Sequence, residues 1–354
     1  MMKPVDEMSI KLDRYKRFYN SKEKGNILIV ANYKTDDTID IDLRDFDFSS
    51  KDEHKRYWDV LIENTERIME DRRGLDDDLI YGITLHYGFG AFGMVFCDTD
   101  ISFTDNTSYM HPVLDDWGKL RSPLYNKDRF WSEIFIEAGR YISEMAAGRF
   151  MVKPFPSPSP LDVANLLRGN ELFTDYYEHP YELKKLLELA VPAILENYFN
   201  IHEAINNPWG GTFTFGKWIP SGILILEDAA DMSSPTQYQE FGAPYTSRVI
   251  NAAGGAYIHH HSLAPHQYKN IAGLNGVWIE QISSDPRPKR PVTDLGYLLS
   301  QVGDIAVDIE CVPEEVYMYI DELRKGRFIL TVSCSNRDEA EEVISFVRDH
   351  SKIK

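Results

Sequence analysis

The stretch GILILEDAADMSSPTQYQEFGAPYTSRVINAAGGAYIHHHS, residues 222–262, decides the fold prediction for this chain. It begins with an apolar run at 222–226 that has the length of a buried strand. Ser234 and Pro235 then open a predicted helix, with proline at a first-turn position. A second apolar run at 256–258 leads into three consecutive histidines. Strand, helix and strand in this order form the unit of parallel α/β folds.

The same alternation continues over most of the sequence. We predict strands at 26–30, 150–155, 277–279, 305–307 and 328–332, and helices at 51–74, 129–147 and 181–205. The predicted fold class is therefore α/β, a (β/α)8 TIM barrel. We expect one domain over 1–354, with an N-terminal helical extension and the first strand in 1–75 and an aromatic, β-rich insert over the barrel mouth in 76–125.

The predicted insert contains Gly88-x-Gly90-x-x-Gly93, which matches the dinucleotide-binding fingerprint literally. The fingerprint requires a helix that begins at the glycines and directs its amides at a pyrophosphate. The segment after Gly93 reads Met-Val-Phe-Cys, which is typical of a strand. We therefore interpret the motif as part of an aromatic loop.

Composition excludes several classes of protein. The 354 residues carry 38 Lys and Arg against 56 Asp and Glu, a net charge of −18, which argues against a nucleic-acid partner. No apolar stretch is long enough to cross a membrane, and the N-terminus lacks the apolar core of a signal peptide. The three cysteines, Cys97, Cys311 and Cys334, form no disulfide framework. We expect a cytoplasmic enzyme.

Polar residues follow several predicted strands, at the end where TIM barrels place their catalytic groups. His259 and His261 point to the same side of a strand, Glu280 follows the next strand, and Cys334 follows the last. Nitrogen, oxygen and sulfur ligands of this kind suit zinc. Asp228, after the strand at 222–226, is a further candidate catalytic residue.

Each of these residues also has a purely structural interpretation. The histidines can form a satisfied polar loop, and Glu280 can form an ordinary ion pair. Cys334 can be a small buried apolar residue, and Asp228 can cap a helix. The metal-site interpretation depends on their shared position after consecutive strands.

At this level the sequence resembles the uroporphyrinogen decarboxylase superfamily, which includes the methylcobamide:coenzyme M methyltransferases. The resemblance lies in PSPSPLDVANLLRGNELFTDYYEHPYELKKLLE, GILILEDAADMSSPTQYQEFGAPYTSRVI, GGAYIHHHS and CVPEEVYMYIDELRKGRFILTVSC. It implies zinc on His259, His261 and Cys334, with Glu280 as a movable fourth ligand. His261 stands where the methyltransferases have a cysteine.

The resemblance implies a zinc-dependent methyltransferase. A substrate thiol would displace Glu280 and attack a methyl group on a corrinoid held by a partner protein. True uroporphyrinogen decarboxylase activity is disfavoured, because residues 27–50 contain the single arginine Arg44 among many acids. Two other classes remain open: a metal-dependent lyase, decarboxylase or hydrolase acting on a small carboxylated substrate, and a non-catalytic barrel that binds a ligand or protein.

Overall fold

The structure is a computed structural model that describes residues 4–153 and 155–353. Its strands are β1 (Ile27–Asn32), β2 (Gly82–Thr84), β3 (Ile101–Phe103), β4 (Ser108–Met110), β5 (Met151–Lys153), β6 (Ser157–Pro158), β7 (Thr212–Thr214), β8 (Lys217–Ile219), β9 (Ile223–Leu226), β10 (Ala256–His261), β11 (Val277–Ser283), β12 (Ala306–Cys311) and β13 (Phe328–Ser333). Its helices are α1 (Pro4–Asn20), α2 (Lys51–Asp71), α3 (Phe89–Gly93), α4 (Phe130–Ala146), α5 (Pro160–Arg168), α6 (Leu172–Glu178), α7 (Pro180–Ala204), α8 (Pro235–Gln237), α9 (Ala243–Ala253), α10 (Tyr268–Ala272), α11 (Leu295–Val302), α12 (Pro313–Leu323) and α13 (Arg337–His350).

The main sheet has seven strands in the order β1-β13-β12-β11-β10-β9-β6, and every neighbouring pair is parallel. A separate parallel pair joins β2 to β5, which lies just before β6 in the chain. The predicted α/β class is confirmed, and this strand order fits a TIM-barrel-like fold. Within the described residues no strand pairing joins β1 to β2, so the closed eight-stranded ring stays a prediction.

Two buried carboxylates occupy the free edge of β1. The Asp78 side chain accepts the Ile29 N–H at 2.8 Å, and the Asp78 N–H donates to the Ile29 carbonyl at 2.7 Å. Asp77 accepts a bond from Lys11 at 2.8 Å, and Asp78 accepts one from Arg14 at 2.6 Å. The α1 side chains thereby neutralise the acids that satisfy the strand edge.

Most residues of the main-sheet strands are buried on both faces, as expected for a parallel sheet that is covered on both sides. All four residues of β9 are buried. Gly222, which precedes β9, has a φ of 101°, and a Cβ there would lie 2.0 Å from the Gly255 carbonyl oxygen. Glycine is therefore required where the starts of β9 and β10 meet.

The segment between β9 and β10 is helical, as the sequence predicts. Ser234 and Gln237 form a reciprocal capping box around Pro235 at the start of α8. The helix passes through one π turn and ends after α9 at Gly254, which has a left-handed φ of 82°. These signals fix where β10 begins, and so place its three histidines.

The antiparallel hairpin β7–β8 packs against the face of the sheet that carries Tyr257, His259 and Asp308. Lys217 forms a buried ion pair with Asp308 at 3.0 Å, and Tyr257 donates its hydroxyl to the same carboxylate at 2.6 Å. Phe215, in the hairpin turn, has a φ of 44° and contacts the His259 ring at a centroid distance of 5.8 Å. The tip of the hairpin therefore lies beside a predicted metal ligand.

The segment 76–125 has less strand than the sequence predicts. It contains β2, the short helix α3 and the hairpin β3–β4, with loops between them. The predicted strand after Gly93 is wrong, because residues 94–96 form a turn that continues α3. None of the described helices is long and apolar enough to cross a membrane.

Candidate metal centre

Three side chains converge at the ends of β9 and β10. The Nε2 atoms of His259 and His261 lie 3.6 and 3.8 Å from Asp228 Oδ1. One ligand atom from each residue lies within 4.8 Å of the others. The two imidazoles share a side of β10 because side chains alternate along a strand. Asp228 joins them because β9 is the parallel neighbour of β10.

Both imidazoles are held through their other ring nitrogen. His259 Nδ1 contacts Gln281 Oε1, and His261 Nδ1 lies 3.1 Å from Asp285 Oδ1. Because an amide oxygen only accepts, and a carboxylate accepts when ionised, each Nδ1 carries a proton, and in the neutral form of each ring Nε2 keeps its lone pair. This is the arrangement by which proteins orient histidine ligands of metals.

Asp285 is itself fixed by the chain that follows β10. Its Oδ2 accepts hydrogen bonds from the Ser262 hydroxyl at 3.1 Å and the Leu263 N–H at 3.0 Å. The Asp285 N–H in turn donates to the Ser262 hydroxyl oxygen at 2.9 Å. The loops after β10 and β11 are thereby locked together around His261.

One oxygen of the Asp228 carboxylate has no hydrogen-bond partner among the described residues, and a bound cation would take that place. This oxygen, Oδ1, is buried and accepts no hydrogen bond. Burial raises the pKa of Asp228, and the neighbouring charges of His259 and His261 oppose that rise. Burial also lowers the pKa of His259, which favours the neutral imidazole that binds metals. Two imidazole nitrogens and one carboxylate oxygen fit a divalent cation such as Zn²⁺.

Glu280, a predicted ligand, lies on the opposite side of the sheet. It is fully buried and contacts His260 Nε2 through Oε1 at 2.9 Å. The reason is register: Glu280 pairs with Ile258, whereas Gln281 pairs with His259. The structure therefore brings Gln281 beside His259 and directs Glu280 toward the covering helices.

Cys334, the other predicted ligand, is also separated from the cluster. Strands β11 and β12 lie between β10 and β13. Cys334 continues the row of Phe328, Leu330 and Val332, which packs in the core between the sheet and the outer helices. Burial raises the pKa of its thiol to about 11, so the thiolate form of the ligand is disfavoured. The predicted ligand set of His259, His261, Glu280 and Cys334 is thus not assembled in this structure.

A layer of buried acidic groups underlies the cluster. Asp231 accepts the His261 N–H at 3.1 Å and lies 3.6 Å from His260 Nδ1. Asp162, in the first turn of α5, accepts the N–H groups of Asp228 and Ala229 at 3.1 and 2.6 Å. These bonds fix the backbone on both sides of the three candidate ligands.

Sequence reasoning did not identify the supporting residues Gln281, Asp285, Asp231 and Asp162. The sequence does give one indication that Asp231 lies near Asp228, because the two residues are one helical turn apart. The sequence gives no such indication for Gln281 and Asp285, because their role depends on which residues of β10 and β11 are paired.

A cavity of about 530 Å³ shares one residue, Phe215, with the surroundings of the cluster. It extends from the end of β1 to β2 and is bounded on one side by Phe215, whose ring also contacts His259. Its wall combines hydroxyl groups, aromatic rings and two cations, and it contains no acidic residue; the side chains with these properties are Tyr33, Lys34, Thr35, Thr38, Thr65, Arg72, Tyr81, Thr84, Phe213 and Phe215.

One solved structure shares this fold over nearly its whole length. It is a methyltransferase from Methanosarcina mazei, and the superposition has a TM-score of 0.62 and covers 95% of this chain and 97% of that chain. The two sequences are 14% identical, so the likeness concerns the fold. No protein-family model matches the chain, and no curated protein matches it.

Proposed function

We propose that this protein is a metal-dependent methyltransferase in which Asp228, His259 and His261 bind Zn²⁺. The cluster of these three groups carries the proposal, because both histidines present Nε2 to a carboxylate oxygen that has no other partner. The fold shared with a methyltransferase from Methanosarcina mazei supports the reaction class. Membership of the uroporphyrinogen decarboxylase superfamily is part of the same proposal.

Three protein ligands leave a coordination position open, as in catalytic zinc sites. Zinc bound there would lower the pKa of a substrate thiol and favour the thiolate that attacks a methyl group. The substrate would enter through the cavity lined by Phe215, whose ring also contacts His259. We propose a corrinoid on a partner protein as the methyl carrier.

The chain's own residues prepare this site before any substrate binds. Asp285 and Gln281 hold the histidines in the tautomer that leaves Nε2 unprotonated. Asp162 and Asp231 fix the backbone at Asp228 and at His261. This preorganisation means that the ligand atoms need little movement to bind the cation.

The test is the metal content of the purified protein, measured by plasma mass spectrometry without a histidine tag. We expect about one zinc per chain in the wild type and loss of most of it in His261→Ala and Asp228→Asn. Cys334→Ser and Glu280→Gln are the matched controls and should retain the metal, because both side chains lie away from the cluster. Zinc loss in Cys334→Ser with retention in Asp228→Asn would refute this ligand set.

Methyl transfer is tested separately, with methylcobalamin as the donor and a small thiol as the acceptor. We expect thiol methylation by the zinc-loaded wild type and none by His261→Ala. A zinc-binding protein that methylates none of a panel of thiols would refute the methyltransferase proposal and leave the metal site intact.

The donor set also supports a second function, that of a metal-dependent lyase or hydrolase. Two histidines and one carboxylate with an open position are the ligands of several zinc hydrolases. Activity in the absence of thiol that titrates near neutral pH would favour this alternative over methyl transfer.

A further inference from the structure

Lys153 is a buried lysine whose ammonium group has no counter-ion. It ends β5, and only 6% of its surface is exposed. None of the carboxylates in the described part of the chain forms an ion pair with it. Its Nζ lies over the face of the Tyr198 ring, 5.4 Å from the ring centroid. Lysines are almost never buried without a partner, so this one calls for an explanation.

Lys153 lines a small cavity between β5 and helix α7. The cavity has a volume of about 30 Å³ and its wall contains no acidic residue. Its wall combines apolar side chains with the polar, uncharged side chains of Ser157, Asn207 and Thr212, and the exposed His202 lies on the same wall. The residues with apolar side chains are Val152, Phe155, Ile201, Ile205 and Phe213.

These surroundings favour the neutral amine. Burial lowers the pKa of Lys153 to about 7, with no carboxylate to oppose the effect. An amine with that pKa has about a thousandfold larger neutral fraction at pH 7 than an ordinary lysine of pKa near 10.4. The neutral amine is the nucleophile, and enzymes that use lysine in this way desolvate it in an apolar pocket.

We propose that Lys153 forms an imine with a small aldehyde in this cavity. The Nζ lone pair attacks the carbonyl carbon, and one of the two Nζ protons moves to the carbonyl oxygen to give a carbinolamine. Loss of the nitrogen proton and of hydroxide releases one water and leaves a C=N bond, so no oxidant or reductant is consumed. His202, on the same cavity wall, is placed to carry these protons.

The size of the cavity and the charge of its wall limit which aldehydes can react there. The space beside Lys153 is that of one or two water molecules, which admits an aldehyde of one or two carbons. A neutral imine suits a wall that, apart from Lys153 and His202, has no group charged at neutral pH to pair with a charged product. The carbamate that carbon dioxide would form is an anion, which the same wall would penalise. This site is independent of the proposed metal centre, which lies at the ends of β9 and β10.

The test is reductive trapping on the full-length protein at pH 7, with acetaldehyde and cyanoborohydride and with peptide mapping by mass spectrometry. We expect Lys153 to gain an ethyl group at least about tenfold faster than the exposed Lys269, given its larger neutral fraction. Lys153→Met should lose this fast modification, while its circular dichroism spectrum and its zinc content stay unchanged.

A second variant tests the cavity itself. Ile205→Phe fills the cavity but keeps the amine, so it should slow the labelling of Lys153 and leave that of Lys269 unchanged. Labelling of Lys153 at the rate of Lys269 in the folded wild type would overturn the proposal. Undiminished labelling in a folded Ile205→Phe variant would overturn the assignment of the aldehyde to this cavity.

Discussion

Replacing Asp285 by asparagine tests whether the loop after β11 prepares the metal site. Asp285 Oδ1 holds His261 Nδ1 at 3.1 Å, and Oδ2 accepts bonds from Ser262 and from the Leu263 N–H. Asparagine keeps one acceptor oxygen but loses the negative charge. Its amide group would also place a donor opposite the Leu263 N–H. His261 would therefore lose the negative charge behind its ring and part of the constraint on its orientation.

Loss of such a supporting partner weakens metal binding by about 10- to 100-fold, or about 1.4–2.8 kcal/mol. The assay is competition for Zn²⁺ between the protein and a chromophoric chelator. Asp294→Asn is the matched control, since Asp294 is half exposed and its contact with Lys289 is long, at 3.7 Å. A Zn²⁺ affinity of Asp285→Asn within about twofold of that of the control would refute the orienting role of Asp285.

Two further predictions concern stability. Asp308→Asn should lower the free energy of unfolding in urea by about 3–5 kcal/mol, because it leaves the buried Lys217 ammonium unpaired; exposed Asp304→Asn should change it little. Burial lowers the pKa of His54 to about 4, so the folded protein binds fewer protons than the unfolded chain between about pH 4 and 6.5. Unfolding free energy should therefore fall by up to about 3 kcal/mol as the pH drops through that window. In His54→Gln this slope should be shallower, and an unchanged slope would contradict the assignment.

The sequence predicted the alternation of strands and helices, because most strands are short apolar runs bounded by turn residues. The capping box at Ser234 and the paired glycines Gly254 and Gly255 mark the limits of the helical segment before β10. Helix α2 begins at Lys51, as predicted, and ends at Asp71, three residues before the predicted end at Gly74. Long amphipathic helices tolerate such errors because their pattern repeats over several turns.

The sequence did not predict which face of the sheet Glu280 lies on, because this depends on one irregularity in strand pairing. Ala256 pairs with Val277, but Tyr257 pairs with Ile279, so Trp278 is an extra residue in β11. Without this bulge, His259 would pair with Glu280, which the zinc prediction requires. A shift of one residue directs every later side chain of β11 to the other face. No local sequence signal marks the bulge.

Cys334 illustrates a different limit. The apolar row of β13, Phe328, Leu330 and Val332, alternates with a row that contains Thr331 and Ser333, but the sequence does not show which of the two rows meets the outer helices. The structure shows Phe328, Leu330 and Val332 in the outer core, and Cys334 follows in the same row. The residues that alternate with them are Thr331, which donates to Asp308, and Ser333. Only the assembled sheet shows that the apolar row, and Cys334 after it, faces the outer helices.

The absence of Cys334 from the cluster changes the charge of the site that we propose. Two neutral histidines and Asp228 leave a zinc site with one net positive charge, which lowers a thiol's pKa strongly but makes the thiolate a weaker nucleophile. Asp285 offsets this effect, because its negative charge lies 3.1 Å from Nδ1 of His261, directly behind the ligand imidazole. When the negative charge of Asp285 is included, the zinc site has no net charge. A zinc site with two histidines, one glutamate and one cysteine would have the same net charge. The acid behind His261 thus supplies the charge that a thiolate ligand would have supplied, which is why methyl transfer remains the reaction we propose for a site without sulfur.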